Sequence, residues 1–497
     1  MKRQLLRVSA LLLLLTTAVS CGGAGTTEPA VSDEGVTTAA SVETEEVYDI
    51  PEPDIPETDF GGGTFTFLIN GRATPYYHED YIFTEQANGE VVNDAVYERN
   101  LKLEEKFNVH FALIESDYQN ISKDASTAIK AADAPFQMVV GSSLSASTIE
   151  GYYHSFLELP NVNLDAEYWN GYCVDGLSVG NKLFLMSSDL TMDGLMNGRF
   201  LYFNKRILND YDIDLPYIYV ENNNWTVDNF LSMVKQVSVD VNGDGKFDEK
   251  DQYGMLTENG SGNGNILHLS IGAGQIFTRQ EEDGNRVIAI DAEKEQALIE
   301  KLHGVLTDSK LALDYQTIGK LTGTDKDNSM WTYSRQLYAQ GHFLFVQNGM
   351  GAMNEFRDMA DDYGIAPNPK YDEAQERYYH RSDPFSPMMA LPVTNNDLER
   401  TGALLEYGSW LSHYTVLPAY YEVTVKQKRV RDERDIEMAD IIKNSIYYEF
   451  ADFYSIGFTD TLWTAYDKEA YASNFAKKEK SINNAIQKIM TKLADME

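Results

Sequence analysis

The chain has 497 residues, 43% of them hydrophobic and 24% charged, and its 77 acidic against 41 basic side chains give a formal net charge of −36. Such a length buries a large core and predicts at least two lobes. The negative balance excludes nucleic acid, which needs a basic face, disfavours strongly anionic ligands and suits a neutral or cationic one.

Lys2, Arg3 and Arg7 form a basic start, and the apolar run Leu5 to Leu15 is too short to span a membrane as a helix. Ala18-Val19-Ser20-Cys21 follows, with Gly22-Gly23 behind it. This resembles a bacterial lipobox, with Ala18 where Leu is usual. It implies a lipoprotein signal peptide over residues 1–20 and a lipidated Cys21. Cys173 then lacks a partner, so no disulfide framework is expected and Cys173 reads as a buried thiol. Between Gly22 and Asp59 there are eleven acidic residues and no Lys or Arg. Residues 21–59 therefore read as a disordered acidic tether, stiffened by Pro51, Pro53 and Pro56.

Folded structure is expected from Phe60. Phe65, Phe67 and Ile69 alternate as a strand, Asn93 to Phe107 carries a helical face, and Val109, Phe111 and Leu113 alternate again. A short helix near Ile121 to Ala132 leads to the apolar run Phe136 to Val140. This strand–helix alternation predicts an α/β sheet covered on both faces. Phe200 to Phe203 is the next strand. Thr226 is placed to cap a helix whose buried face is Val227, Phe230, Leu231, Val234 and Val237. Leu298, Leu302, Val305 and Leu306 mark another helix, Phe343 to Val346 and Met388 to Val393 buried strands, and Asn395 to Leu411 a helix. The tail is helical, with Ile482, Ala485, Ile486, Ile489, Met490 and Leu493 on one face. No internal repeat is present.

One loop carries metal-ligand spacing. Asp240, Asn242, Asp244, Gly245, Asp248 and Asp251 occupy positions 1, 3, 5, 6, 9 and 12 of a cation loop, and Lys246 offers its carbonyl at position 7. Alternate side-chain oxygens converge inward and Gly245 permits the sharp turn, which points to a structural calcium ion. The last ligand is Asp, as in dockerin-type loops, and no second loop accompanies it. The plain alternative is an Asx-rich turn without a metal. Catalytic patterns are missing: there is no His-Glu-x-x-His, Walker loop or Gly-x-Ser-x-Gly. Gly260, Gly262 and Gly264 read as a loop with no helix after them. Asp189 and Asp193 are spaced as a glycosidase-like pair, but such pairs are common in an acidic chain. Aromatic side chains stack on sugar rings at low entropic cost. Those expected in loops at strand ends are Tyr76, Tyr77, Trp169, Trp331, Tyr333, Phe356 and Phe385.

Several segments resemble the family 1 extracellular solute-binding proteins, the lipid-anchored sugar receptors of bacterial ABC importers. They are Leu201-Tyr202-Phe203-Asn204-Lys205, Pro216 with Trp225-Thr226 and Phe230, Gln340-Gly341-His342 through Met353, and Gly364-Ile365-Ala366-Pro367-Asn368-Pro369. His342 stands where the family has Lys. The resemblance implies a type II periplasmic-binding-protein fold, with two α/β lobes, a hinge and an interlobe cleft. Lobe one is expected at 60–195 plus 392–450, lobe two at 196–391, and C-terminal helices at 451–497. Cleft loops would be Asn70 to Tyr77, Gly141 to Ser143 with Ser142 central, Ser187 to Asp193 including Asp189, and Asn348 to Asn354. In that last loop Met350 and Asn354 take the place of the family's stacking Trp. The implied function is capture of a solute, an oligosaccharide in first place, by a monomeric non-enzyme that delivers it to ABC permease subunits at the extracellular face of the cell membrane. A secreted carbohydrate-active hydrolase, a non-transport surface binding protein, and a peptide or polyamine ligand remain alternatives.

Overall fold

A computed structural model of the protein describes residues 51–72, 77, 79–258, 264–323, 329–423, 433–462 and 470–494, with backbone alone at 329–331 and 354. The signal peptide, Cys21 and the tether up to residue 50 lie outside the described residues. Residues 52–59, the end of the expected tether, run over the folded surface. There Ile55 packs on the core and Glu52 meets both Lys106 Nζ at 2.9 Å and the Tyr407 hydroxyl at 3.2 Å. Among the described residues no helix is long and apolar enough to cross a membrane.

In chain order the strands are β1 (Gly63–Asn70), β2 (Val109–Ser116), β3 (Met138–Gly141) and β4 (Tyr153–His154). Then come β5 (Phe200–Asn204), β6 (Tyr253–Thr257), the hairpin β7 (Thr278–Gln280) and β8 (Arg286–Ile288), β9 (Ala312–Asp314), β10 (Phe343–Asn348) and β11 (Tyr363–Ala366). The last are β12 (His380–Arg381), β13 (Met388–Pro392) and β14 (Ile446–Tyr447). They build two five-stranded sheets, ordered β2-β1-β3-β13-β4 and β11-β5-β10-β6-β9. In the first, β1 is parallel to β2 and β3, while β13 runs antiparallel to β3 and β4. In the second, β10, β6 and β9 are parallel and β5 is the antiparallel strand between β10 and β11.

The central strands β3, β5, β10 and β13 are buried at every residue, so their apolar runs are continuous rather than alternating. The helices follow their sequence signals. Val91–Phe107 ends at Asn108, whose φ of 49° gives the left-handed turn that Asn tolerates. Thr226 caps Val227–Gln236 by accepting from Asn229 N at 3.4 Å. Just before that cap, Trp225 is fully buried and donates its indole N–H to the Pro367 carbonyl at 2.7 Å. The C-terminal helix Tyr471–Ala494 packs on the helix Ala292–Leu306, and Lys492 near its far end pairs with Glu150.

Two expectations need correction. Met388–Pro392, divided above between the end of lobe two and the start of lobe one, belongs to the first sheet: Met388, Met389 and Ala390 pair with Gly141, Val140 and Val139. The second crossing therefore precedes β13. Met186, which bridges Met389, and Phe200 at the start of β5 bracket the first crossing. The glycines near 260 are followed by a helix after all, Asn265–Gly272. All eight of its residues are buried, so it has no polar face and no amphipathic period to read.

Candidate ligand site

The parallel strands of both sheets end in the same region. Asn70 closes β1, Ser142 follows β3, Glu258 follows β6 and Asn348 closes β10. Because β5 and β13 are antiparallel to these strands, the residues entering them, Arg199 and Asp383 to Phe385, arrive at the same ends. In open α/β sheets ligands bind outside the carboxyl ends of the strands.

Side chains join the two sheet ends there. Asn70 donates to Ser142 Oγ at 2.7 Å and to the Tyr77 carbonyl at 2.6 Å, and Ser142 Oγ donates to the Phe385 carbonyl at 2.5 Å. From the second sheet, Arg199 donates to Asn348 Oδ1 at 2.9 Å and to Asp383 Oδ2 at 2.8 Å. The Tyr77 hydroxyl reaches the same Asp383 oxygen at 3.1 Å, while Asp383 Oδ1 accepts from Phe385 N at 3.0 Å. Behind them runs a buried amide relay. Glu258 N donates to Asn265, Asn265 to Gln347, Gln347 to Asn368, and Asn368 to the Arg199 carbonyl. It fixes the backbone of Arg199 and Glu258 against each other.

The electrostatics follow from burial. Burial alone would raise the Asp383 carboxyl, but Arg199 and Arg381 beside it outweigh that and hold it below its ordinary value. Burial, helped by Asp383, pushes the Tyr77 phenol up, so it stays a donor. Burial pushes Glu258 up to about 7, against the pull of Arg199 and Arg335. The Arg199 Nε is buried with no hydrogen-bond partner among the described residues.

Tyr77 lies between two other rings, with centroids 5.7 Å from Tyr118 and 6.0 Å from Phe385. Phe385 is 43% exposed, whereas most aromatic side chains of this chain are core. The region thus presents flat apolar faces beside fixed donors and acceptors, which can hold a polyhydroxylated ring by stacking and hydrogen bonds.

Of the residues expected from sequence, Tyr77, Ser142 and Phe385 come together here. Tyr76 lies outside the described residues, as do the side chains of Trp331 and Asn354. Met350 is fully buried in the core and presents no surface to a ligand, because the turn after β10 points it inward. Phe356 is core as well. Trp169 is buried, its indole N–H held by Glu406 at 2.8 Å. Asp189 faces elsewhere. Its Oδ2 meets His413 Nδ1 at 2.6 Å and Lys443 Nζ at 3.1 Å, on the wall of a separate cavity of about 570 Å³ lined also by Leu164, Trp169 and Leu195. Asp193 lies beside Glu79 instead, so Asp189 and Asp193 form no pair. Sequence reasoning missed Tyr118, Asp383 and Glu258, which carry no motif and are single residues at strand ends.

The cation loop closes on its own backbone. Asp240 accepts from Gly243 N and Gly245 N, each at 2.7 Å, Asn242 from Asp244 N, and Asp244 from Lys246 N. Asp251, fully buried, accepts from Val241 N and Asp248 N. Gly243 and Gly245 have φ of 69° and 80°, which explains glycine at both positions. Among the described residues no three His, Cys, Asp or Glu side chains are grouped to hold a metal, so a cation here would lean on Asn242 and main-chain oxygens as well.

No family model matches the sequence, and no curated protein matches it. Solved structures do. The cyclic α-maltosyl-1,6-maltose binding protein of Arthrobacter globiformis aligns with a TM-score of 0.54 at 13% identity, over 88% of this chain and 100% of that one. UspC of M. tuberculosis gives 0.53 at 14% identity, covering 85% and 100%. A sugar transporter of Rhizobium etli in an open conformation gives 0.52 at 13%, covering 87% and 100%. At such identities the likeness is one of fold. The chain has the α/β fold of the maltose-binding type of periplasmic solute-binding proteins, two lobes joined by a hinge with a cleft between them.

Proposed function

We propose that this protein is an extracellular receptor that captures an oligosaccharide between the two sheets and delivers it to an ABC importer. The observation that carries the reading is the ring group Tyr77, Tyr118 and Phe385, beside the hydrogen-bonding set of Asn70, Ser142, Arg199, Asn348 and Asp383. The fold supports it, since proteins of similar fold carry the names of sugar receptors. No bond is made or broken in this reading. A ligand that touches both lobes only when they close favours the closed state by that difference in contacts.

On the same reading Cys21 carries the lipid that holds a monomeric receptor at the outer face of the membrane. The loop Asp240–Asp251 is proposed to bind calcium as a brace for the second lobe, apart from the sugar. Mass spectrometry of small molecules released from the purified protein tests the assignment. An oligosaccharide is expected. A peptide or polyamine released in stoichiometric amount would replace the sugar reading.

A further inference from the structure

Glu79 lies two residues after Tyr77, and its backbone N–H donates to the carbonyl of Asn70 at 3.0 Å. Its Oε1 accepts from Tyr81 N at 2.6 Å and Ile82 N at 3.1 Å, which folds the segment into a turn. Asp193 opens the helix Asp193–Asn197 in the first crossing between the sheets, after Met192 in a left-handed conformation with φ of 55°. Each residue is 3% exposed. Glu79 and Asp193 lie beside each other in the interior. Glu79 Oε2 and Asp193 Oδ2 are both buried oxygens with no hydrogen-bond partner among the described residues.

Two ionised carboxylates are acceptors only, so a hydrogen bond between them requires a proton. Two buried negative charges in contact are strongly disfavoured, and sharing one proton removes that cost. The groups facing the pair do not change this balance. Asp80 on the same segment and the phenols of Tyr81 and Tyr448 add negative or neutral character, and the Thr191 hydroxyl donates to the Ser188 carbonyl. Among the described residues the facing cation is Arg99, from the helix Val91–Phe107. Its guanidinium is spent on the carbonyls of Tyr81, Ile82 and Leu190 and on Ser412 and Asn100. Burial pushes both carboxyls up, Glu79 to about 7.

We propose that Glu79 and Asp193 share one proton, and that this protonated pair ties the Tyr77 segment to the interlobe crossing so that ligand capture weakens as the pair loses its proton. The ligand part rests on the reading of the cleft as the binding site; the proton part does not. Glu79 and Asp193 are positioning residues. Neither has to touch the ligand, but the ring of Tyr77 is placed by the turn they hold. Loss of the shared proton at higher pH leaves two facing carboxylates, and the turn is pushed off the crossing helix.

The test compares the wild type with Glu79→Gln in thermal unfolding and in calorimetric titration of an oligosaccharide, from pH 5.5 to 8.5. Glutamine keeps the acceptor for Tyr81 and Ile82 and puts a permanent N–H where the proton sits. The wild type should lose affinity as pH rises, by up to about tenfold per pH unit while the pair is losing its proton, and its melting temperature should fall over the same interval. Glu79→Gln should keep the low-pH affinity throughout and show a flatter melting profile. Asp193→Asn should behave in the same way. Parallel pH profiles for wild type and both variants would overturn the proposal. If no oligosaccharide binds at any pH, the reading of the cleft fails, while the difference between the melting profiles still decides whether the pair shares a proton.

Discussion

Arg199 and Asp383 form an ion pair, 2.8 Å from Nη2 to Oδ2, at the point where the ends of the two sheets meet. Asp383 has no exposed side-chain surface, and Arg199 retains 18%. Arg199 spends its other terminal nitrogen on Asn348, and Asp383 also receives Tyr77, so the pair is the centre of a connected set. Removing one partner of a buried pair leaves the other charge stranded. Asp383→Ala should therefore cost about 3–5 kcal/mol in urea unfolding, far more than a surface ion pair. A cost below about 1 kcal/mol, the scale of an exposed pair, would mean that Arg199 finds water in place of Asp383.

The ring group should matter for binding and little for stability. Phe385 is 43% exposed, so Phe385→Ala removes few native contacts and should change stability by no more than about 0.5 kcal/mol. Oligosaccharide affinity should fall by about tenfold, because a stacked ring contributes on the order of 1 kcal/mol or more. Tyr118→Ala should act in the same direction. Thermal melts and calorimetry on the same samples separate the two effects.

Trp225 is the opposite case. It is fully buried, packs 6.3 Å from both Phe230 and Phe345, and bonds to the Pro367 carbonyl. Trp225→Ala should destabilise by about 3–5 kcal/mol through the cavity and the unpaired carbonyl. Urea unfolding followed by circular dichroism would measure it.

Glu295 gives a pH effect away from the cleft. It is fully buried with Ser270 as its donor at 2.6 Å, and burial pushes it from 4.5 up to about 7. Between those values the folded protein holds a proton that the unfolded chain has released. Stability should thus fall as pH rises from about 4.5 to about 7 and then level off. Glu295→Gln cannot ionise and should be more stable than wild type at pH 8 by about 1–3 kcal/mol. Equal stability at that pH would show that the site relaxes enough to solvate the charge.

Calcium can be tested by melting. If the loop Asp240–Asp251 is a site, millimolar calcium should raise the melting temperature over that in chelator, and Asp244→Ala should abolish the difference. Superimposable melts would leave the loop as an Asx-rich turn held by its own N–H groups.

The layout of the sheets was legible because it depends on local patterns. Continuous apolar runs such as Phe200–Phe203 and Phe343–Val346 mark buried strands, and Thr226 marks a helix start. The assignment of β13 to the first sheet was not legible, since an apolar strand does not say which sheet it joins. The helix Asn265–Gly272 escaped because a fully buried helix carries no period. The site was half legible. Tyr77 and Phe385 stood out as aromatics in loops, but the contact of Tyr77 with Asp383 spans 306 positions. Asp189 looked like a cleft acid by its place before the crossing. The chain turns it towards His413 and Lys443, partners far along the sequence.

The central claim is that a sugar binds against Tyr77, Tyr118 and Phe385. Calorimetric titration of the protein with a panel of linear and cyclic oligosaccharides, repeated on Tyr77→Ala, tests it most directly. Saturable binding of at least one sugar by the wild type, weakened at least tenfold in the variant, is the predicted result. No heat and no thermal shift with any sugar, or equal affinity in the two proteins, would contradict it.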